Sequence, residues 1–563
     1  MKRSEVFSVL KNNPEVSVLI IGGGINGIGA FRDLALNGVD VLLVERGDFC
    51  SGASAASSRL AHGEFCHLEE GEIRFVRDAV RERDRLLQNA PHIVKPFPVA
   101  VPLFKRLSGL FNVPRKFLGM PDKPAERGAA AVRLGLMLYD SYTGSPRVVP
   151  RHQFLSRSKS LAKWKYLSAK ILDTAVYYEG VIQQPERLGI ELVLDAEAEN
   201  PNAHALNYVS MVGGTGDTII LRDELTDNNY DVRPKLVINA AGPWIDFTNR
   251  KLGLSTSYIG GVKGSHIVVR QDELRNTIGE NGFFFENEDG RAVFICPLYD
   301  CVLIGTSEIP VEHPDDAYCS EEEIDYFLKL TRRIFPSLNL SAEDIVFRFS
   351  GVRPLPRVAG KAVPQESRDR NIEVLSGDWT NLHYPVYSLV GGTWTSFRLF
   401  AEQVTDKALA YLGLARQKDT RLLPIGGGRG YPINPEEARR HIESLSAWTG
   451  VGRERLKLLF DRYGTRAEAF ATYINGATDF PVRELSDFSL REIVFLVQHE
   501  KICHVDDFLL RRSTFAVLGR VNRVMVDELA KALGYALGWN EERKTAEVQR
   551  TLSILADRHG LKL

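Results

Sequence analysis

The chain has 563 residues, 44% hydrophobic and 25% charged, a globular profile that excludes a disordered, collagen-like or multi-span membrane chain. That length predicts two to four domains with cores large enough to stand without covalent staples. Its 71 basic and 72 acidic residues leave a net charge of −1. No global field therefore recruits nucleic acid, and an anionic partner must be met by a local cluster.

Residues 1–15 mix charges without an apolar run, unlike a secretory signal, and lack the basic, acid-poor character of a transit peptide. Residues 16–21 (VSVLII) are rich in β-branched side chains and predict a buried parallel strand. The strand ends in Gly22-Gly23-Gly24, and 25–37 carries apolar residues at helical spacing. Residues 39–44 (VDVLLV) predict a second strand, closed by Glu45. Together these make a βαβ unit with a right-handed crossover.

Within that unit Gly22-Gly23-Gly24-Ile25-Asn26-Gly27 satisfies G-x-G-x-x-G in the setting the motif requires. Gly22 serves a tight turn, Gly24 admits a pyrophosphate to the backbone, and Gly27 brings the helix close to the sheet. The helix N-terminus offers N–H groups to phosphate, and Glu45 would accept from a ribose hydroxyl.

Residues 51–63 (SGASAASSRLAHG) are small and hydroxyl-rich, suited to lie along a cofactor and donate to its phosphates or ring. Residues 101–120 set Lys105, Arg106, Arg115 and Lys116 among apolar side chains without an acid, a pattern that suits either an anionic headgroup layer or a loop packed on the core. No apolar run reaches the roughly 18 residues of a membrane span. The six cysteines (50, 66, 296, 301, 319 and 503) have no C-x-x-C pair or zinc-like spacing and read as buried thiols of a reducing compartment. No metal site is expected.

Residues 236–240 (LVINA) form a strand running into Ala241-Gly242, and 266–269, 292–296 and 301–305 read as sheet strands. Gly391-Gly392-Thr393-Trp394 is a second glycine turn entering a helix. Three dispersed points of close backbone approach suit a long, extended FAD better than a mobile nicotinamide. Residues 420–430 (TRLLPIGGGRG) read as a linker, and 436–448, 453–463, 490–500 and 523–537 as helices of a separate domain.

Taken in order, IIGGGINGIG, SSRLAHG, PHI, RLGLMLYD, INAAGPW, KGSHIVV, IGTSE, SGVRPL, GG-x-x-T, YGTRA and HE…DDFLLRR run the length of the chain. This pattern resembles the FAD-dependent glycerol-3-phosphate dehydrogenases, the respiratory, quinone-linked enzymes. The resemblance implies an α/β (α+β) fold. A Rossmann-like FAD-binding domain would be interleaved with a β-sheet substrate-capping domain over 15–425, followed by a helical domain over 430–563. It implies hydride removal from C2 of sn-glycerol 3-phosphate, with electrons passing through FAD to quinone. The cysteine usage and the 101–120 segment point to a cytoplasmic protein, peripheral on the inner membrane face, with a homodimer as the oligomeric expectation.

The resemblance places His266, in KGSH, as the base for the hydroxyl proton, an imidazole suiting that role near neutral pH. It places Arg353 and Arg368 on the substrate phosphate, where planar guanidinium groups bind bidentately. The cofactor contacts expected are Gly22, Gly24, Asn26, Gly27, Glu45 and Arg46 at the nucleotide end; Ser54, Ser57, Ser58, Leu60 and Gly63 along the serine stretch; and Ala241, Gly242, Gly392, Thr393 and Trp394 at the later turns.

The chain also departs from the family. Where the family reads H-G-G-L-R-Y-L-E, this chain has Glu64 for the second glycine, Cys66 for the arginine and His67 for the tyrosine. Thr393 stands where the family has lysine. Each lost charge-assisted hydrogen bond is worth about 1.5–3 kcal/mol. Three substrates are therefore open: glycerol 3-phosphate in a rewired pocket that could draw on Arg59 or His67, another polyol phosphate, or a less anionic alcohol or amine. Two further readings compete with the dehydrogenase: an FAD-dependent oxidase, and a flavin-binding protein whose pocket has decayed.

Overall fold

A computed structural model describes residues 1–65, 72–105, 129–144, 147–286, 292–357, 370–376, 381–485 and 487–563. Cys66, His67, Arg368 and most of the 101–120 segment lie outside the described residues.

The VSVLII run forms β1 (Glu15–Ile21), centred in a sheet between parallel neighbours β2 (Val41–Val44) and the strand Asn229–Asn239. Ile20 stands opposite Leu43 on one side and Ile238 on the other. Side chains alternate across the pleat. Val18 and Ile20 join the core beneath α2 (Ile25–Leu36), while Leu19 and Ile21 join the core beneath α1 (Arg3–Asn12). The sequence reading assigned no helix to residues 3–12. Its anchor is the short apolar set Val6, Phe7 and Leu10, with Phe7 stacked on Tyr230 at 4.2 Å. Helix α2 is capped by Gly24, ends before Asn37, and packs against α3 (Phe397–Leu412), the helix entered from the second glycine turn.

The second sheet carries the chemistry. Its strand β3 (Val262–Val269) lies antiparallel between β4 (Cys301–Gly305) and β5 (Ile345–Arg353). His266 faces Gly305 and Phe349 in register, and Val262 faces Arg353. Positions 262, 264 and 266 share one face, so His266, the Gly264–Gly351 pair and Arg353 follow each other along it. A Cβ at Gly264 would sit 2.6 Å from Thr306 Oγ1, and one at Gly351 would sit 2.4 Å from Ala56 Cβ. The glycine pair thus keeps the floor between histidine and arginine clear.

The C-terminal helices include Pro435–Thr449, Arg453–Tyr463, Leu490–His499, Arg523–Leu537 and the last helix α4 (Glu541–His559). Their apolar faces share a core with Val268, Phe347 and Phe349 of the second sheet. The 420–430 segment is not a loose linker. Gly427 and Gly428 are buried in a short 3-10 turn, and their added Cβ atoms would meet the Tyr463 carbonyl at 1.9 Å and the Asn89 carbonyl at 2.4 Å. The glycines there serve close packing of the backbone.

Candidate active site

A cavity of about 1260 Å³ runs from the first glycine turn to the face of the second sheet. Pockets for one drug-sized ligand span about 300–1,000 Å³, so this space fits a dinucleotide together with a small substrate.

At its nucleotide end Gly22 turns with φ +112°, and a Cβ there would lie 2.5 Å from the Ala240 carbonyl oxygen. A Cβ at Gly27 would lie 2.0 Å from the Gly22 oxygen and 3.1 Å from Ala240 Cβ, so only glycine lets α2 reach the sheet there. Gly24 caps α2. Glu45 accepts from the Gly23 N–H at 2.7 Å and the Gly47 N–H at 2.9 Å. Burial raises its carboxyl, and those two donors act against the rise. Each carboxylate oxygen keeps a second lone pair for a ribose hydroxyl. Arg46 stacks over Trp244 at 4.4 Å and pairs with Asp315 at 2.7 Å, closing the outer end.

Ser54, Ser57, Ser58 and Leu60 line the middle of the cavity. Ser54 Oγ accepts from the Ile25 N–H at 2.9 Å and Ser57 Oγ from the Arg59 N–H at 3.2 Å, so each retains its own O–H to donate. Trp394 Nε1 donates to the Ser54 carbonyl at 3.0 Å, and Asn26 Nδ2 to the Gly391 carbonyl at 3.0 Å. Asn26 Oδ1 is buried without a hydrogen-bond partner among the described residues, an acceptor placed where a ribityl or ring donor fits. Gly242 has φ +57°, and a Cβ there would meet nothing within 4 Å, which leaves room beside Ala241. These features fit an extended flavin nucleotide.

Two expected contacts sit elsewhere. Gly27 and Gly63 do not line the cavity. Gly63 N–H donates to Glu179 at 3.0 Å, and its added Cβ would strike the Tyr139 hydroxyl at 2.2 Å, so it belongs to a buried network with Arg83, Tyr139 and Glu179.

At the substrate end His266 is 3% exposed and stacks on Phe349 at 4.9 Å. Its Nε2 shares a 2.9 Å hydrogen bond with Ser58 Oγ, and its Nδ1 has no hydrogen-bond partner among the described residues. Ser58 was read as a cofactor contact alone; its pairing with His266 joins residues 208 positions apart and left no local signal. Burial first, then the positive fields of Arg353 and Arg59, push the imidazole down to about 3, so it is neutral at physiological pH. Arg353 donates to Glu308 at 2.7 Å and to Thr306 Oγ1 at 3.3 Å, both within the IGTSE segment. His62, Glu64, Phe65, Tyr177 and Phe294 complete the wall.

The departures have structural outcomes. Glu64 has φ +54°, the region that favours glycine, with its side chain buried and its carboxylate 3.3 Å from His62 Nε2. Thr393 lines the cavity and meets Ser396 Oγ at 3.1 Å. Arg59 cannot replace a lost cation, since it is off the wall and donates to the Gln183 carbonyl at 2.9 Å.

Residues 17–384 match the family model described as FAD dependent oxidoreductase, and 418–544 match that of the C-terminal domain of alpha-glycerophosphate oxidase. The chain is 31% identical to a glycerol-3-phosphate dehydrogenase of Synechocystis sp., covering 96% of this chain and 97% of the relative. It is 30% identical to an aerobic glycerol-3-phosphate dehydrogenase of Staphylococcus haemolyticus, covering 96% and 94%. The crystal structure of glycerol-3-phosphate dehydrogenase from Bacillus halodurans complexed with FAD superposes with a TM-score of 0.74 at 24% identity, covering 99% and 97%, and shares the fold.

Proposed function

The chain belongs to the FAD-dependent oxidoreductases of the glycerol-3-phosphate dehydrogenase family, and from that premise we propose that it oxidises the secondary alcohol of sn-glycerol 3-phosphate to dihydroxyacetone phosphate. The observation that carries this reading is the juxtaposition of neutral, buried His266 and half-buried Arg353 on one sheet face that lines the same cavity as Glu45.

Bound FAD supplies the hydride acceptor. Glu45, the Gly22–Gly24 turn and Ser54 would hold its nucleotide half; Asn26 and the Gly391–Gly392 turn would hold the flavin half. Arg353, steadied by Glu308, meets the phosphate. His266 takes the hydroxyl proton; its Nε2 is held by Ser58, and its Nδ1 is the ring nitrogen without a partner among the described residues. A phosphate dianion on Arg353 cancels part of the positive field that depresses His266, so the substrate itself raises the basicity of the group that deprotonates it.

The test is anaerobic flavin bleaching against a panel of polyols, their phosphates and phosphodiesters. Glycerol 3-phosphate is expected to bleach the flavin fastest; bleaching only by an unphosphorylated alcohol or an amine would refute the assignment. With Arg353→Ala the substrate concentration needed should rise about ten- to a hundredfold, the value of one charge-assisted hydrogen bond. An unmoved concentration dependence would place the phosphate elsewhere.

For the acceptor we favour quinone at a membrane surface, with the chain peripheral on its inner face. Among the described residues no helix is long and apolar enough to cross a membrane. The helix Ala129–Tyr142, which follows the basic, apolar 101–120 segment, exposes Leu134, Met137 and Leu138 at 62%, 57% and 47%. Turnover in air should reduce a short-chain quinone without forming peroxide; stoichiometric peroxide would make the protein an oxidase.

A further inference from the structure

Among the described residues none beyond Thr395 lines the cavity, yet the C-terminal domain reaches the turns that close its nucleotide end. Asp48 lies three residues past Glu45 and is 1% exposed. Its carboxylate accepts from Arg511 Nε at 2.6 Å and from Arg512 Nη1 and Nη2 at 2.9 and 3.0 Å. The same turn is tied to its neighbour, because Tyr208 N–H donates to the Gly47 carbonyl at 2.9 Å and Val209 N–H to the Glu45 carbonyl at 2.8 Å. Tyr208 in turn donates its hydroxyl to Asp507 at 2.5 Å. Both backbones that present Glu45 therefore lean on the DDFLLRR segment.

A second strut acts on the opposite lip. Arg558, on α4, donates to the Asp315 carbonyl at 3.1 Å. The Asp315 side chain is the partner of Arg46 and of Trp244 Nε1 (3.0 Å) at the cavity mouth. Burying two guanidinium groups on one carboxylate is expensive in desolvation, and apolar packing would dock two domains as well. What the charged arrangement adds is one allowed geometry for the turn. Burial raises the Asp48 carboxyl, and Arg512 and Arg511 more than reverse the rise, so the carboxylate stays ionised.

We propose that the C-terminal helical domain braces the FAD site from outside, holding the turns that line it without lining it itself. Arg511 and Arg512 are positioning residues that fix the Glu45–Asp48 turn on the adenosine half of the cofactor. The inference rests on the FAD assignment above. It assigns the DDFLLRR motif a task in cofactor retention, which requires the helical domain to be docked before FAD binds tightly.

The experiment compares apoprotein prepared from full-length holoenzyme, titrated with FAD and separately with FMN, which lacks the adenosine half. In Asp48→Asn the dissociation constant for FAD should rise about tenfold or more, the loss of one charge-assisted hydrogen bond, while that for FMN stays unchanged. Equal weakening of both flavins would mean a general loss of fold, and no change in FAD affinity would mean an inert interface; either overturns the proposal. If Asp48→Asn does not fold, Arg558→Ala decides, since it removes only an exposed strut. Faster release of FAD but not of FMN supports the proposal, and an unchanged FAD release rate overturns it. A wild-type chain that bound no FAD would instead refute the cofactor assignment beneath it.

Discussion

Alanine at His266 is expected to slow anaerobic flavin reduction by about 10²–10⁴-fold, the span a general base contributes, while the flavin stays bound. Retention follows from the position of His266 on the second sheet, where its partners among the described residues are Ser58 and the ring of Phe349. The site is shaped around the imidazole, because a Cβ at Gly305 would lie 2.2 Å from it. His266→Gln fills more of that space than alanine without a comparable proton acceptor, and should show the same rate loss. A near-normal rate in either variant would remove the imidazole from the reaction.

The pH profile gives a second reading of the same group. The family role suggested an imidazole titrating near neutrality, whereas burial and two arginines hold this one at about 3. Because kcat/KM reports the free enzyme, its acid limb should not fall near the usual 6.5. The stability linkage has the matching sign. The folded ring stays neutral as pH drops through 6.5 while the unfolded chain binds a proton, so stability present above 6.5 is lost progressively toward about 3. His559, held at about 4 by burial, contributes in the same direction, so the comparison is wild type against His266→Gln.

Alanine at Gly27 should yield a folded chain without flavin. Its Cβ would sit 2.0 Å from the Gly22 oxygen, which cannot simply retreat, because Gly22 N–H is tied to the Val44 carbonyl at 2.8 Å. Overpacking of this kind costs roughly 1–3 kcal/mol, a loss that a chain of this size survives. The displaced atoms, however, belong to the turn that receives the pyrophosphate. Visible flavin absorbance per chain after purification measures the outcome. A full complement of flavin in Gly27→Ala would show that this turn is not the nucleotide anchor.

The βαβ unit was legible because each of its signals is local: a β-branched run, glycines at the turn, an acid closing the next strand. The helices Arg453–Tyr463 and Arg523–Leu537 fall where apolar spacing predicts them. Long-range pairings were not legible. Glycines in 420–430 permit either looseness or close approach, and the deciding atoms belong to Asn89, Glu191 and Tyr463. Nothing local singles out Asp48, since its arginine partner Arg512 lies 464 positions away. Ser58 was recognisable as part of a polar stretch, but not as the partner of a histidine. Glu64 looked like a change in pocket charge, and the left-handed backbone that explains the family's glycine became visible only in three dimensions.

The hydrogen bond from Asn26 to the Gly391 carbonyl spans 365 positions and has a consequence for biosynthesis. The first glycine turn leaves the ribosome early, but the residues that complete the flavin cradle follow about twenty seconds to over a minute later at ordinary elongation rates of roughly 5–20 residues per second. Throughout that interval the nascent chain carries half a binding site. Flavin capture is therefore a late event, and a ribosome stalled before codon 391 should hold a chain that does not retain the cofactor.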